Sequence, residues 1–140
     1  MTPDSKTRVL FLCIGNSCRS QMAEGFARCY GQDVMIAASA GLWPALIVQP
    51  DTIQTMDEKN IDIRAQFTKS LAHISRNTTF DLIVNMSGHE LPEDITTPSR
   101  DWDVNDPIGE DEETYAAVRD KIETLVMGLI LELRRAGKQE

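Results

Sequence analysis

The chain has no apolar run approaching the ~20 residues that a membrane-spanning helix needs. It holds only three cysteines in 140 residues, Cys13, Cys18 and Cys29, an odd number that does not make a disulfide framework. There is no CxxC pair, and the two histidines, His73 and His89, lie far from the cysteines in sequence, so no zinc-ligand spacing exists and no metal is expected. GxGxxG and GK[ST] are both missing, which excludes a dinucleotide fingerprint and a nucleotide-phosphate loop; no cofactor is expected. Basic residues are the minority, 14 Lys+Arg against 22 Asp+Glu for a net charge of −8, and they form no cluster. A nucleic-acid partner, which requires a basic face, is therefore not expected. A small anion is not excluded, because screening confines the global field to roughly 8 Å and a local cationic pocket can still bind it. The start, MTPDSKTRVLFLC, has too short an apolar segment for a signal peptide, so a cytoplasmic protein with no membrane partner is expected. Repeats, low-complexity tracts and linkers are absent, and residues 1–140 are expected to form one domain.

What remains is ordinary globular material, 41% hydrophobic and 26% charged. Residues 8–13 (RVLFLC) carry a continuous apolar run, which predicts a strand buried on both faces of a parallel sheet. Ile14-Gly15-Asn16-Ser17 is turn chemistry. Residues 20–30 predict a helix whose apolar stripe is Met22, Phe26 and Cys29, with Cys29 a small buried hydrophobe. A second strand is expected over 34–38, closed by Ser39-Ala40-Gly41, followed by an irregular loop holding Trp43 and Pro44. Further helices are expected over 50–60 and 68–74, and further strands over 80–86 and 101–104. Residues 112–135 repeat apolar side chains in steps of three and four, predicting a long helix with one face on the sheet. Gly128 inside it costs about 1 kcal/mol relative to Ala, which predicts a close helix–sheet contact; residues 137–140 read as a frayed tail. The acidic run Glu110 to Glu113 serves the helix's positive end. Strands alternating with helices give an α/β fold with a mostly parallel sheet in three layers. Ligands of such sheets sit beyond the carboxyl ends of the strands, where Cys13 falls.

The segment from Cys13 to Ser20 (CIGNSCRS) has the pattern C-x5-R-S. If the turn curls, the backbone N–H groups of Ile14, Gly15, Asn16, Ser17, Cys18 and Arg19 converge into a cradle for a tetrahedral oxyanion. Arg19 adds a planar fork that binds two oxygens. The same field stabilises a thiolate at Cys13, and Ser20 can donate its hydroxyl to it. Gly15 and Asn16 tolerate the positive φ that a curl demands. One position thus supplies a nucleophile and its surroundings an oxyanion hole. Expelling an oxygen leaving group calls for an acid, and Asp106, stiffened by Pro107, is the candidate.

VLFLCIGNSCRSQMAEGFA resembles the phosphate-binding loop and first helix of the low-molecular-weight protein tyrosine phosphatase superfamily. SAG at Ser39–Gly41, FDLIVNM, DWDVNDPIG and AVRDKI follow in the superfamily's order, so the resemblance covers nearly the whole chain. It implies a three-layer sandwich, a four-stranded parallel sheet flanked by helices. It implies that Cys13 is the nucleophile, Arg19 the oxyanion clamp, Ser20 the residue that tunes the thiolate and Asp106 the general acid, then base. Asn16 and Ser39 are expected to hydrogen-bond and hold the loop curled, and Trp43 to line a wall of the site. Gln21-Met22-Ala23-Glu24-Gly25 and Asp106-Pro107-Ile108-Gly109 are similar to the arsenate reductase branch. That branch relays oxidation through cysteines after the third strand, where this chain has Asn85-Met86-Ser87-Gly88-His89-Glu90-Leu91-Pro92 and no thiol. Cys18 reads as a packed or protective thiol. The resemblance therefore implies a phosphomonoesterase working through a cysteinyl-phosphate, acting on a phosphotyrosyl or similar substrate. The alternative is an arsenate reductase using an external thiol, whether glutathione, mycothiol or a thioredoxin or glutaredoxin partner, since arsenate matches phosphate in charge and shape. Some reductase relatives hold a potassium ion at positions that match Asn16, Glu24 and Ser39. Lys69 stands near the fourth; a solvated surface charge is the plainer reading, and the alternative is that its ammonium takes the ion's place and pairs with Glu24 or its neighbours. Ile47 stands where relatives commonly have Gly and could reshape the pocket mouth.

Overall fold

The computed structural model describes residues 6–138. The first five residues, part of the N-terminal segment read above for a leader, and the last two of the tail lie outside this range. The element order is β1 (Thr7–Cys13), α1 (Arg19–Tyr30), β2 (Met35–Gly41), α2 (Pro50–Asp57), α3 (Leu71–Asn77), β3 (Leu82–Asn85), β4 (Ser99–Asp101) and α4 (Glu112–Lys138). All four strands are parallel, in the order β2-β1-β3-β4.

The apolar run of β1 is buried on both faces, as its composition requires. Val9, Phe11 and Cys13 face a large core with Met22 and Phe26 of α1, Met56 of α2, and Ile122, Val126 and Ile130 of α4. Leu10 and Leu12 face a smaller core with Ala40, Leu71 and Ile83. This is the expected three-layer arrangement. β1 is central, so its carboxyl end, Cys13, opens beside the ends of both neighbours. It pairs with Gly41 in the register of β2, and Met86 N–H bonds Leu12 O just past β3.

Several boundaries differ from the sequence expectation for identifiable reasons. The third helix starts at Leu71 rather than residue 68 because the backbone of Lys69 is already engaged. Its N–H donates to Asn16 Oδ1 (3.0 Å) and its carbonyl accepts from Gly41 N–H (2.9 Å). Ser70 then caps the helix by accepting from His73 N–H. The fourth strand is Ser99–Asp101 rather than 101–104, in register with Ile83–Asn85, and the Val104 carbonyl turns to Arg19 instead. The second strand runs on through Gly41, and α4 continues to Lys138, so the tail is helical as far as it is described. Cys29 is exposed, because the buried stripe of α1 is Met22, Ala23, Phe26 and Ala27. Gly128 is exposed as well, with nothing within 4 Å of a Cβ placed there, so no close contact explains it. The close helix contact is at Gly31, where a Cβ would lie 2.8 Å from Ile130.

Candidate active site

The loop from Cys13 to Arg19 is curled by hydrogen bonds on its outer side. The carbonyls of Cys13, Ile14, Gly15 and Ser17 accept from the N–H groups of Leu42, Trp43, Ala45 and Gln49, at 2.9–3.2 Å. The Asn16 carbonyl accepts from Gln21 Nε2 (2.9 Å). With its carbonyls drawn outward, the loop turns its amides the other way. Among the described residues no backbone carbonyl accepts from the N–H groups of residues 14–19. Unpaired donors at a helix start are suited to holding an anion. The curl places Asn16 at φ 53°, while Gly15 keeps negative φ; only one of the two residues expected to adopt positive φ does so. Gly41 is required for another reason. A Cβ there would lie 2.8 Å from Ile14 O and 2.9 Å from Asn16 N, so only glycine lets β2 approach the loop this closely.

Cys13 lies buried at the floor of the cradle, its Sγ 2.9 Å from Ser20 Oγ. Asn16 fixes the sense of this contact. Its Oδ1 accepts from Lys69 N–H, which can only donate, so its Nδ2 faces Ser20 and donates to Oγ at 2.7 Å. The Ser20 hydroxyl proton is thereby left to donate to the Cys13 sulfur. Arg19 is buried, and its Nη1 donates to Met86 O (2.6 Å) and Val104 O (3.0 Å). One guanidinium thus gathers the ends of β3 and the segment after β4 around the helix start. Its Nη2 is 3.9 Å from Asp106 Oδ2. The other oxygen of Asp106, Oδ1, accepts from Ile108 N–H (3.0 Å), and the side chain is 44% exposed. Ser20 thus meets the Cys13 sulfur, and Asp106 stands beside the Arg19 guanidinium. A cysteine sulfur, unpaired loop amides, a buried guanidinium and a carboxyl beside it are the groups needed for nucleophilic attack on a tetrahedral oxyanion with protonation of the departing oxygen.

Other expectations are corrected. Ser39 does not bond the loop; its Oγ donates to Glu24 Oε1 (2.6 Å), whose Oε2 pairs with Arg28 Nε (2.7 Å). Lys69 forms no ion pair with Glu24. Its Nζ donates to Phe67 O (2.9 Å) and lies 4.6 Å from the Phe67 ring centroid, and partial burial holds its ammonium below the usual lysine range. Asn16 Oδ1, Ser39 Oγ and both Glu24 carboxylate oxygens are each engaged in these bonds. Trp43 lies 63% exposed on the rim, edge-on to His89 with centroids 5.4 Å apart, rather than forming an inner wall. Cys18 is buried beside Thr52 and Tyr115, and burial, opposed in part by the Thr52 hydroxyl, pushes its thiol up to about 12. It is protonated at neutral pH, in keeping with a packed thiol.

Two supports were not read from the sequence. Gln21, fully buried, donates to Asn16 O and Phe67 O and accepts from Gln66 Nε2 (2.8 Å), tying the loop to the segment after α2. Asn85 and Ser87 tie the loop after β3, with Asn85 Nδ2 donating to His89 O (2.8 Å) and Ser87 Oγ to Asn85 Oδ1 (2.6 Å). Gln21 appeared only as a branch marker; its polarity at a buried helix position was the available signal.

Residues 8–139 match the family model described as low molecular weight phosphotyrosine protein phosphatase. The chain is 34% identical over 130 residues to the glutaredoxin arsenate reductase of Synechocystis sp., covering 90% of this chain and 98% of that protein. It is similar to the solved structure of an arsenate reductase in the phosphate binding state, with TM-score 0.82 and 32% identity over 91% of this chain and 98% of that one. It is also similar to the YwlE arginine phosphatase from Geobacillus stearothermophilus, with TM-score 0.81 and 28% identity over 96% and 97% of the two chains. Of the two reactions read from the sequence, the relatives favour arsenate reduction over the phosphomonoesterase placed first. The match over nearly the whole chain and the geometry of the loop lead to one assignment: this chain belongs to the low molecular weight phosphotyrosine protein phosphatase family.

Proposed function

We propose that this chain is an arsenate reductase, a single catalytic domain that draws its electrons from an external thiol. The observation that carries this reading is the placement of the sulfurs: Cys13 sits in the cradle, Cys18 is buried and protonated, and Cys29 is exposed on the last turn of α1. Similarity to arsenate reductases supports the choice of oxyanion. Arsenate binds in the amide cradle against Arg19. The Cys13 thiolate attacks arsenic, and one oxygen leaves as water after protonation by Asp106. A thiol from outside then attacks Cys13 Sγ; the S–As bond breaks and its electron pair stays on arsenic, which departs as arsenite. The mixed disulfide on Cys13 is opened by a second external thiol. The sum is arsenate plus two thiols giving arsenite, one disulfide and water.

The exposed carboxyl of Asp106, set beside Arg19, favours a second reading, phosphomonoester hydrolysis through a cysteinyl-phosphate. Arsenic speciation with a reducing thiol, run beside phosphate release from phenyl phosphate and from a phosphotyrosyl peptide, separates the two. Arsenite formation at a catalytic rate supports the first reading. Phosphate release without arsenite overturns it.

A further inference from the structure

β2 is an edge strand of the sheet, with α1 packed in the larger core on one face and α3 in the smaller core on the other. Beside this edge lies a cavity of about 390 Å³ whose lining includes no residue of the cradle. It is walled by Arg28 of α1, Ala38 of β2, Phe67 and Lys69 of the segment after α2, and His73 and Ile74 of α3. The chemistry read for Cys13 uses none of these side chains.

The cavity is cationic in an acidic chain. Residues 63–80 hold Arg64, Lys69, His73 and Arg76 but no Asp or Glu, although the net charge is −8. Among the described residues the one carboxylate in the lining is Glu24, and both its oxygens are taken, by Ser39 Oγ and by Arg28 Nε. The Nη groups of Arg28 have no such partner among the described residues. Lys69 Nζ meets only the carbonyl and ring of Phe67. It is half-buried with no carboxylate in contact, so its ammonium has lost water without gaining an opposite charge. Arg28 and Lys69 stand close enough to repel each other. Two like charges at one cavity are relieved by an anion placed between them.

We propose that this cavity binds a small organic dicarboxylate, one carboxylate on Lys69 Nζ and the other on the Arg28 Nη groups, with His73 beside them. Two cations from different elements match two carboxylates on one carbon chain. The planar guanidinium offers paired donors to a planar carboxylate. Ala38, Ala65, Ile74 and the Phe67 ring give the carbon chain an apolar wall, and the volume is that of a small-molecule site rather than of a bare ion. The site is independent of which reaction Cys13 carries out.

The test is calorimetric titration with succinate, with citrate and with butyrate, which has a single carboxylate, joined to mapping of backbone amide shifts by NMR. The wild-type chain is compared with Lys69→Gln and Lys69→Arg. Both variants keep the backbone N–H that bonds Asn16, so inorganic phosphate should bind each within about twofold of wild type, which also shows that the chain is folded. Succinate or citrate should bind the wild type at least about tenfold more tightly than butyrate and lose at least about tenfold in Lys69→Gln. Lys69→Arg should recover most of that loss. The amides of Phe67, His73 and Thr78 should shift with the diacid, whether or not inorganic phosphate already fills the cradle. Butyrate equalling both diacids, an affinity unmoved by Lys69→Gln, or shifts confined to residues 13–19 and abolished by phosphate overturns the site.

Discussion

Gly41→Ala tests the cradle with one added carbon. Gly41 ends β2 opposite Cys13, and its φ is not in the positive range, so alanine suffers no conformational penalty there. The penalty is steric. The new Cβ would meet Ile14 O at 2.8 Å and Asn16 N and Gly15 C at 2.9 Å, all backbone atoms of the cradle, where ordinary contact begins at 3.4 Å. No flexible side-chain end can yield, so loop and strand must part by about half an ångström in a close-packed interior. Overpacking of this kind costs about 1–3 kcal/mol, and misplacing reacting groups by 1 Å costs about 10²-fold in rate. The expected outcome is a Tm lowered by roughly 3–10 °C. Inorganic phosphate should bind about tenfold more weakly by calorimetry, and arsenate turnover with dithiothreitol should fall by roughly 10- to 100-fold. Gly128→Ala is the control: on an exposed face of α4 with open space around it, it should stabilise the chain by about 1 kcal/mol and leave phosphate binding unaltered. A Gly41→Ala protein that binds phosphate and turns over like the wild type would refute the reasoning, because the loop atoms beside Gly41 would then not be those that hold the anion.

Asp106→Asn should slow arsenate turnover by roughly 10²-fold or more while phosphate still binds, since the acid is lost and the cradle is kept; an unchanged rate removes Asp106 from proton transfer. Cys18 gives a pH dependence of defined sign. The fold raises its thiol from 9.0 to about 12, so the folded chain holds this proton more tightly than the unfolded one. Its contribution to stability, up to about 4 kcal/mol, is fully present below pH 9 and is lost as pH rises toward 12. Urea unfolding across that window should show Cys18→Ala with a flatter alkaline decline than the wild type, and parallel declines would contradict the assignment. Alkylation by iodoacetamide at pH 7.5, followed by peptide mass mapping, should label the exposed Cys29 and spare Cys18; early labelling of Cys18 would show that it is not the packed, protonated thiol described.

The parts of the molecule legible in the sequence are those set by local chemistry. The apolar run of β1, the C-x5-R-S turn after it and the three–four periodicity of α4 each follow from neighbouring residues, and together they placed Cys13, Arg19 and Ser20. What was misread depends on contacts across the chain. Thr68 and Lys69 have no sequence mark that keeps them out of a helix; Asn16, more than fifty residues earlier, holds the Lys69 N–H. Ser39 was expected to close the second strand, but whether it bonds the loop or Glu24 is decided by how β2 and α1 pack. Cys29 lies one position off the stripe that α1 turns to the core, a difference of rotation that its spacing from Phe26 did not resolve. The rim is legible as composition only. Trp43, Leu46 and Ile47 read as an irregular loop until the bonds that fix it to the cradle are seen.

Arsenate reduction by this chain requires one sulfur, that of Cys13, to accept arsenic and pass it on reduced. With dithiothreitol as the only reductant, arsenic speciation by liquid chromatography and mass detection should show the wild-type chain converting arsenate to arsenite over many turnovers. Cys13→Ser should form none while still binding phosphate in the cradle. Arsenite from the Cys13→Ser protein, or none from the wild type, would contradict it.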